Sequence, residues 1–114
     1  MEDCLFCKII AGEIPSNKVY EDEFTFAFRD INPVAPTHVL VIPKAHVTGL
    51  TEINSENSDI MKHITVTAGK ICELEGLESD GFRYVINSGE YGGQTVFHLH
   101  LHVLGGRKLN WPPG

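Results

Sequence analysis

The sequence predicts an α+β domain: a mainly antiparallel sheet with one long and one short helix. Three observations lead there. Short alternating apolar segments recur between turns marked by Pro and Gly. A single stretch, Ser55 to about Leu74, instead repeats its apolar residues at spacings of three and four. The chain has 114 residues, 42% apolar and 21% charged, which fits one compact folded domain over 1–114 with no internal repeat or low-complexity linker.

In chain order, Asp3 to Ala11 predicts one or two helical turns, capped by Asp3 and stopped by Gly12. Lys18 to Arg29 alternates, placing Phe24, Phe26 and Phe28 on one strand face, with a turn at Glu21-Asp22-Glu23. Pro33 and Pro36 exclude regular structure from Asp30 to Thr37, and His38 to Ile42 is a short apolar strand stopped by Pro43. The long helix follows, with Ile60, Ile64, Thr67/Ala68 and Ile71 inward and capping chemistry from Ser55, Ser58 and Asp59. Phe82 to Asn87 predicts a strand, Ser88 to Thr95 a glycine-rich loop, and Val96 to Leu104 the last strand, ended by Gly105-Gly106. The tail Leu109 to Gly114 contains Pro112-Pro113 and is not helical.

The formal net charge of −6 removes the broad basic field that nucleic-acid binding uses, while leaving room for a small anion held by backbone N–H groups. No apolar run approaches the roughly 20 residues that span a bilayer. Three cysteines beside an acidic Met1-Glu2-Asp3 start point away from a disulfide framework and towards the cytoplasm with reduced thiols. No membrane partner and no nucleic acid is expected.

The chemistry concentrates at His98-Leu99-His100-Leu101-His102. On one strand the three imidazoles share a face, and Leu99, Leu101 and Val103 share the other. At about 3.3 Å per residue the outer two backbones stand about 13 Å apart, so one metal does not easily take all three. At least one histidine therefore has another task. Imidazole serves as nucleophile, acid or base near neutral pH, provided its second nitrogen is held by an acceptor. Upstream, Gly92-Gly93-Gln94-Thr95 offers amides, a hydroxyl and a side-chain amide for an anion.

These residues resemble the histidine-triad nucleotide-binding (HIT) proteins, specifically the Hint branch. The resemblance covers nearly the whole chain: Phe6-Cys7-Lys8-Ile9-Ile10, Glu13-Ile14-Pro15-Ser16, Asp30-Ile31-Asn32-Pro33, His38 to Lys44, Gly93 to Phe97, His98 to Arg107, and Trp111-Pro112-Pro113-Gly114. It implies a five-stranded sheet joined across a two-fold homodimer, and hydrolysis of purine nucleoside 5′-phosphoramidates to a nucleoside monophosphate and an amine. By position, His100 is the implied nucleophile, passing through a nucleotidyl-histidine. His102 contacts the phosphate and assists the leaving group, His38 supports them, and His98 either supports the site or belongs to a metal. Asn87, Gly93, Gln94 and Thr95 are implied phosphate and ribose contacts, Asp30 a ribose acceptor and Ile31 a base contact. Trp111 is expected to reach the partner's site.

Cys4-Leu5-Phe6-Cys7 is half of a zinc site by spacing. His46 and His98 are candidates for the other half, an arrangement similar to that of some bacterial HIT proteins and implying a structural Zn²⁺ not needed for catalysis. A reduced pair without metal is the competing interpretation. Cys72 is expected in the core or at its boundary, and His63 at the surface. Two other functions stay open: a metalloenzyme with zinc on His38, His100 and His102, and a non-catalytic nucleotide sensor.

Overall fold

The computed structural model of the chain describes residues 3–114. Five antiparallel strands form one sheet in the order β1-β2-β3-β5-β4: β1 Lys18–Glu21, β2 Thr25–Arg29, β3 Thr37–Pro43, β4 Phe82–Val85 and β5 Leu101–Gly105. Two helices accompany them, α1 Leu5–Ile10 and α2 Asp59–Leu74. The α+β class, the long and short helices and the five-stranded sheet follow the sequence expectation.

The alternation of β2 and β3 divides their side chains between two cores. Ala27, Val39 and Val41 pack with Ile64, Ala68 and Ile71 of α2. Phe26, Phe28, Leu40 and Ile42 pack with Phe6 and Ile9 of α1. The sheet is covered on both faces, which is why β3 is buried at every position. Phe24 departs from the expected Phe24-Phe26-Phe28 face. It sits in the β1–β2 turn, 47% exposed, and stacks on His63 of α2 at 3.8 Å between ring centroids. His63 therefore lies at the surface edge and Cys72 in the core.

Both helix starts differ from expectation. The α1 cap is Cys4, not Asp3: its Sγ accepts from the Cys7 N–H at 3.3 Å, and Gly12 follows at φ +80°. The long helix starts at Asp59 because Asn54 and Asn57 draw the preceding residues into a turn. Asn54 Oδ1 accepts from the Glu56 N–H at 2.8 Å, and Asn57 Oδ1 from the Asn54 N–H at 2.7 Å. Ser58 occupies the cap position without a side-chain cap bond.

The largest difference is in β5, which spans only Leu101–Gly105, so His98 and His100 lie outside the ladder. Its partner β3 ends at Pro43, which has no N–H to continue the pairing, and the Leu99 N–H goes instead to the Val47 carbonyl at 2.8 Å. β4 likewise stops at Val85, short of Asn87. The alternation of faces outlasts the strand: Leu99, Leu101 and Val103 are buried on the α2 side. On the other side Phe6 of α1 makes edge contacts with the rings of His98 and His100 at 5.8 and 5.1 Å.

Candidate functional site

The three histidines face α1 yet separate into two groups. His100 and His102 stand together, ring centroids 5.1 Å apart, and His98 turns to His46, 4.9 Å away. β3 adds His38, whose ring lies 5.1 Å from that of His102. The register Leu40↔His102 and His38↔Leu104 makes them diagonal neighbours on one sheet face.

Hydrogen bonds fix which nitrogens carry protons. The His98 carbonyl accepts from His100 Nδ1–H at 2.8 Å, so the His100 lone pair is on Nε2. The Val34 N–H donates to His38 Nδ1 at 3.1 Å, which places the His38 proton on Nε2. That Nε2–H faces His102 Nδ1 at 2.8 Å and Asp30 Oδ2 at 3.4 Å. His102 Nδ1 is then an acceptor, and its own proton sits on Nε2. The pair His100/His102 thus offers one lone pair and one N–H.

Burial disfavours the charged form of His102, His38 and His98. It pushes His102 down to about 4, helped by His100 and His38 and opposed by Asp30. His38 is also lowered by burial, against the pull of Asp30. Burial takes His98 to about 4 despite its bond to the Pro43 carbonyl.

A cavity of about 340 Å³ opens over His100 and His102, roofed by Leu5, Phe6 and Ile9 of α1. Of the expected substrate contacts, Asp30, Ile31 and Thr95 line it. Ile31 is 91% exposed at its rim. Asn87, Gly93, Gln94 and Trp111 are not among its lining. Asn87 Nδ2 donates to the Gly92 carbonyl at 2.6 Å. Gln94 is buried and braces the loop: Oε1 accepts from the Gly89 N–H at 3.0 Å, and Nε2 donates to the Thr48 carbonyl at 2.7 Å. The amides of Gly93 and Gln94 close the loop onto the Glu90 and Gly89 carbonyls. Trp111 is 80% exposed. The roof residues Leu5, Phe6 and Ile9 were not anticipated as site residues, because apolar side chains in a short helix carry no chemical signature.

Cys4, Cys7, His46 and His98 form a second cluster, with one ligand atom of each lying within 4.8 Å of the others. His98 Nε2–H donates to the Pro43 carbonyl at 2.8 Å, leaving the Nδ1 lone pair inward. That nitrogen stands 3.3 Å from Cys4 Sγ, 3.6 Å from Cys7 Sγ and 3.1 Å from His46 Nδ1. Tetrahedral zinc with bonds of about 2.0–2.3 Å needs ligand separations of roughly 3.3–3.8 Å. The donor set, the spacing and the anchored outer nitrogen of His98 fit such an ion. His100 belongs to neither this cluster nor the Asp30/His38/His102 group that also brings potential ligands together.

A family model described as "HIT domain" matches residues 11–109. A 14 kDa zinc-binding protein of Zea mays is 53% identical over 112 residues, covering 96% of this chain and 87% of that protein. The adenylylsulfatase HINT1 of Arabidopsis thaliana is 48% identical over 112 residues, covering 96% of this chain and 76% of that protein. Among solved structures, a HIT family hydrolase from Legionella pneumophila superposes with a TM-score of 0.96 at 50% identity, covering 98% of this chain and all of that one.

Proposed function

The chain belongs to the HIT family, in its Hint-type branch, and on that premise we propose that it is a nucleotide-binding hydrolase that cleaves purine nucleoside 5′-phosphoramidates or related nucleotidyl conjugates through a nucleotidyl group on His100. The supporting observation is the His100 tautomer. With Nδ1–H given to the His98 carbonyl, Nε2 presents a lone pair at the cavity.

His100 Nε2 attacks the α-phosphorus and forms a P–N bond. The N–H on His102 Nε2 hydrogen-bonds the departing nitrogen, which takes up one proton from solvent water before its bond to phosphorus breaks and the amine leaves. Water then displaces His100, releasing the nucleoside monophosphate, a proton and the free imidazole. Asp30 and Thr95 bind ribose and phosphate, Ile31 contacts the base, and Asn87, Gly93 and Gln94 shape the loop beside them. An adenylyl conjugate with another leaving group, of the kind named for the Arabidopsis relative, suits the same attack.

A structural Zn²⁺ on Cys4, Cys7, His46 and His98 would tie α1 to the segments around residues 46 and 98. The cation would hold both sulfurs as thiolates, although burial and the neighbouring Cys4 raise the Cys7 thiol in the chain by itself. The cytoplasm would keep those thiols reduced. The assembly proposed is a homodimer joined at a sheet edge, with the exposed Trp111 tail reaching the partner's cavity.

Turnover of adenosine 5′-phosphoramidate tests the proposal. His100→Asn should abolish it and prevent a nucleotidyl adduct in rapid-quench mass spectrometry, while His63→Ala leaves both intact. Nucleotide binding by the wild type without turnover of any adenylyl conjugate would favour a sensor instead.

A further inference from the structure

Arg107 takes no part in the chemistry above, although the Gly105-Gly106-Arg107 stretch is built with unusual closeness. Gly106 has φ +89°, and a Cβ there would meet Pro36 Cβ at 2.8 Å. This approach lays Arg107 against the loop between β2 and β3. Its Nη2–H and Nε–H both donate to the Val34 carbonyl, at 2.9 and 3.3 Å, and its Nη1–H donates to the Lys108 carbonyl at 3.0 Å. Val34 is therefore held on both sides. Arg107 fixes its carbonyl, and its N–H donates to His38 Nδ1.

We propose that Arg107 is a positioning residue for the reaction: by clamping Val34 it fixes the proton of His38 on Nε2 and, through it, the proton of His102 on the nitrogen facing the cavity. The inference rests on the hydrolase function proposed above, in which His102 acts as donor. Every link is a hydrogen bond in which only one proton arrangement satisfies both partners. A donor at His38 Nδ1 leaves Nε2 as the protonated nitrogen; a proton there requires a lone pair on His102 Nδ1; the last N–H then points at the substrate. Were the Val34 N–H to swing away, His38 could carry its proton on Nδ1. His102 would then turn a lone pair towards the phosphate, where it repels. Asp30 Oδ2, 3.4 Å from His38 Nε2, favours the same tautomer from a longer distance than the 3.1 Å bond from the Val34 N–H, so it adds to the clamp and does not replace it.

Pro33 and Pro36 on either side of Val34 and the Asn32 N–H on Asp30 Oδ1 at 2.8 Å stiffen the loop. No partner besides Arg107 is seen on the Val34 carbonyl among the described residues. The same loop carries Asp30 and Ile31, and this stiffening holds them in place without the clamp.

The test pairs imidazole ¹⁵N NMR with kinetics on wild type, Arg107→Ala, Arg107→Lys and Val34→Pro, the last of which deletes the N–H itself. In wild type at neutral pH, His38 and His102 should each show the Nε2–H pattern. Arg107→Ala and Val34→Pro should give mixed tautomers at both rings and lower kcat by about ten-fold or more, with nucleoside monophosphate affinity within about two-fold. Arg107→Lys, which keeps a donor for the Val34 carbonyl, should recover most of both signals. Unchanged tautomers and unchanged kcat in Arg107→Ala would overturn the inference, as would a loss matched by equal loss of thermal stability with wild-type tautomers. Mixed tautomers in a chain whose wild type hydrolyses no adenylyl conjugate would uphold the relay and refute the hydrolase function. Should Val34→Pro not fold, the two Arg107 variants decide alone.

Discussion

His100 and His102 are two residues apart and present opposite groups to the cavity, a lone pair and an N–H, because each has its second nitrogen spoken for by a different group. The sequence pattern identified the pair, and strand alternation gave the correct face. It did not contain the partners that set their roles. The carbonyl of His98 is a backbone group, invisible in residue identity, and His38 lies 64 positions from His102. The buried rings of His102 and His38 make a pH prediction. Burial holds His102 near 4 in the fold against an ordinary 6.5, and lowers His38 as well. Between those values the unfolded chain binds protons that the folded chain refuses, so stability is full above about pH 6.5 and declines as pH falls towards 4. Urea midpoints across pH 7.5 to 4.5 should show this decline. His102→Gln should flatten part of it, and an unaltered slope in that variant would assign the effect elsewhere.

At the scale of elements, the sequence pattern located the five strands and two α-helices of the described residues, missed the single 3-10 turn Leu50–Glu52, and placed several ends wrongly, for reasons that depend on partners. β5 stops where Pro43 leaves it without a ladder, and α2 starts late because two asparagines compete for the backbone. Turn chemistry also carries stability. Asp22 Oδ1 accepts from the Phe24 and Thr25 N–H groups, both at 2.8 Å, and from the Thr25 hydroxyl at 3.0 Å. Although burial works against it, these bonds hold the carboxylate below its ordinary range. Asp22→Ala should cost about 1–3 kcal/mol in chemical denaturation by leaving those donors unpaired. On α2, Ile71 is fully buried in the core beneath the sheet, and Ile71→Ala should cost about 2–5 kcal/mol with turnover retained at low temperature.

Across the whole molecule, the sheet is a wall with unequal supports. α2 is sixteen residues long and packs along one face; α1 has six and roofs the cavity on the other. So short a helix has little stability of its own. The Cys2His2 corner lies at its first turn, brought together by the fold from the four residues singled out in the sequence, and a zinc there would tie that turn down. Protein purified without chelator should carry about one zinc per chain, and its removal should lower the melting temperature measured by calorimetry. Cys7→Ser should reproduce both the metal loss and the lower transition. A wild-type chain that melts identically with and without chelator would remove the corner's structural role.

His98 meets its two neighbours through different parts of itself. Its ring faces the cysteines, and its peptide oxygen holds His100. A side chain can be exchanged by mutation; a carbonyl cannot. The two sites can therefore be separated by substitution even though they share a residue. A substitution at His98 would take a ligand from the cysteine corner, while the acceptor that holds His100 Nδ1 persists under any substitution that leaves the backbone path intact.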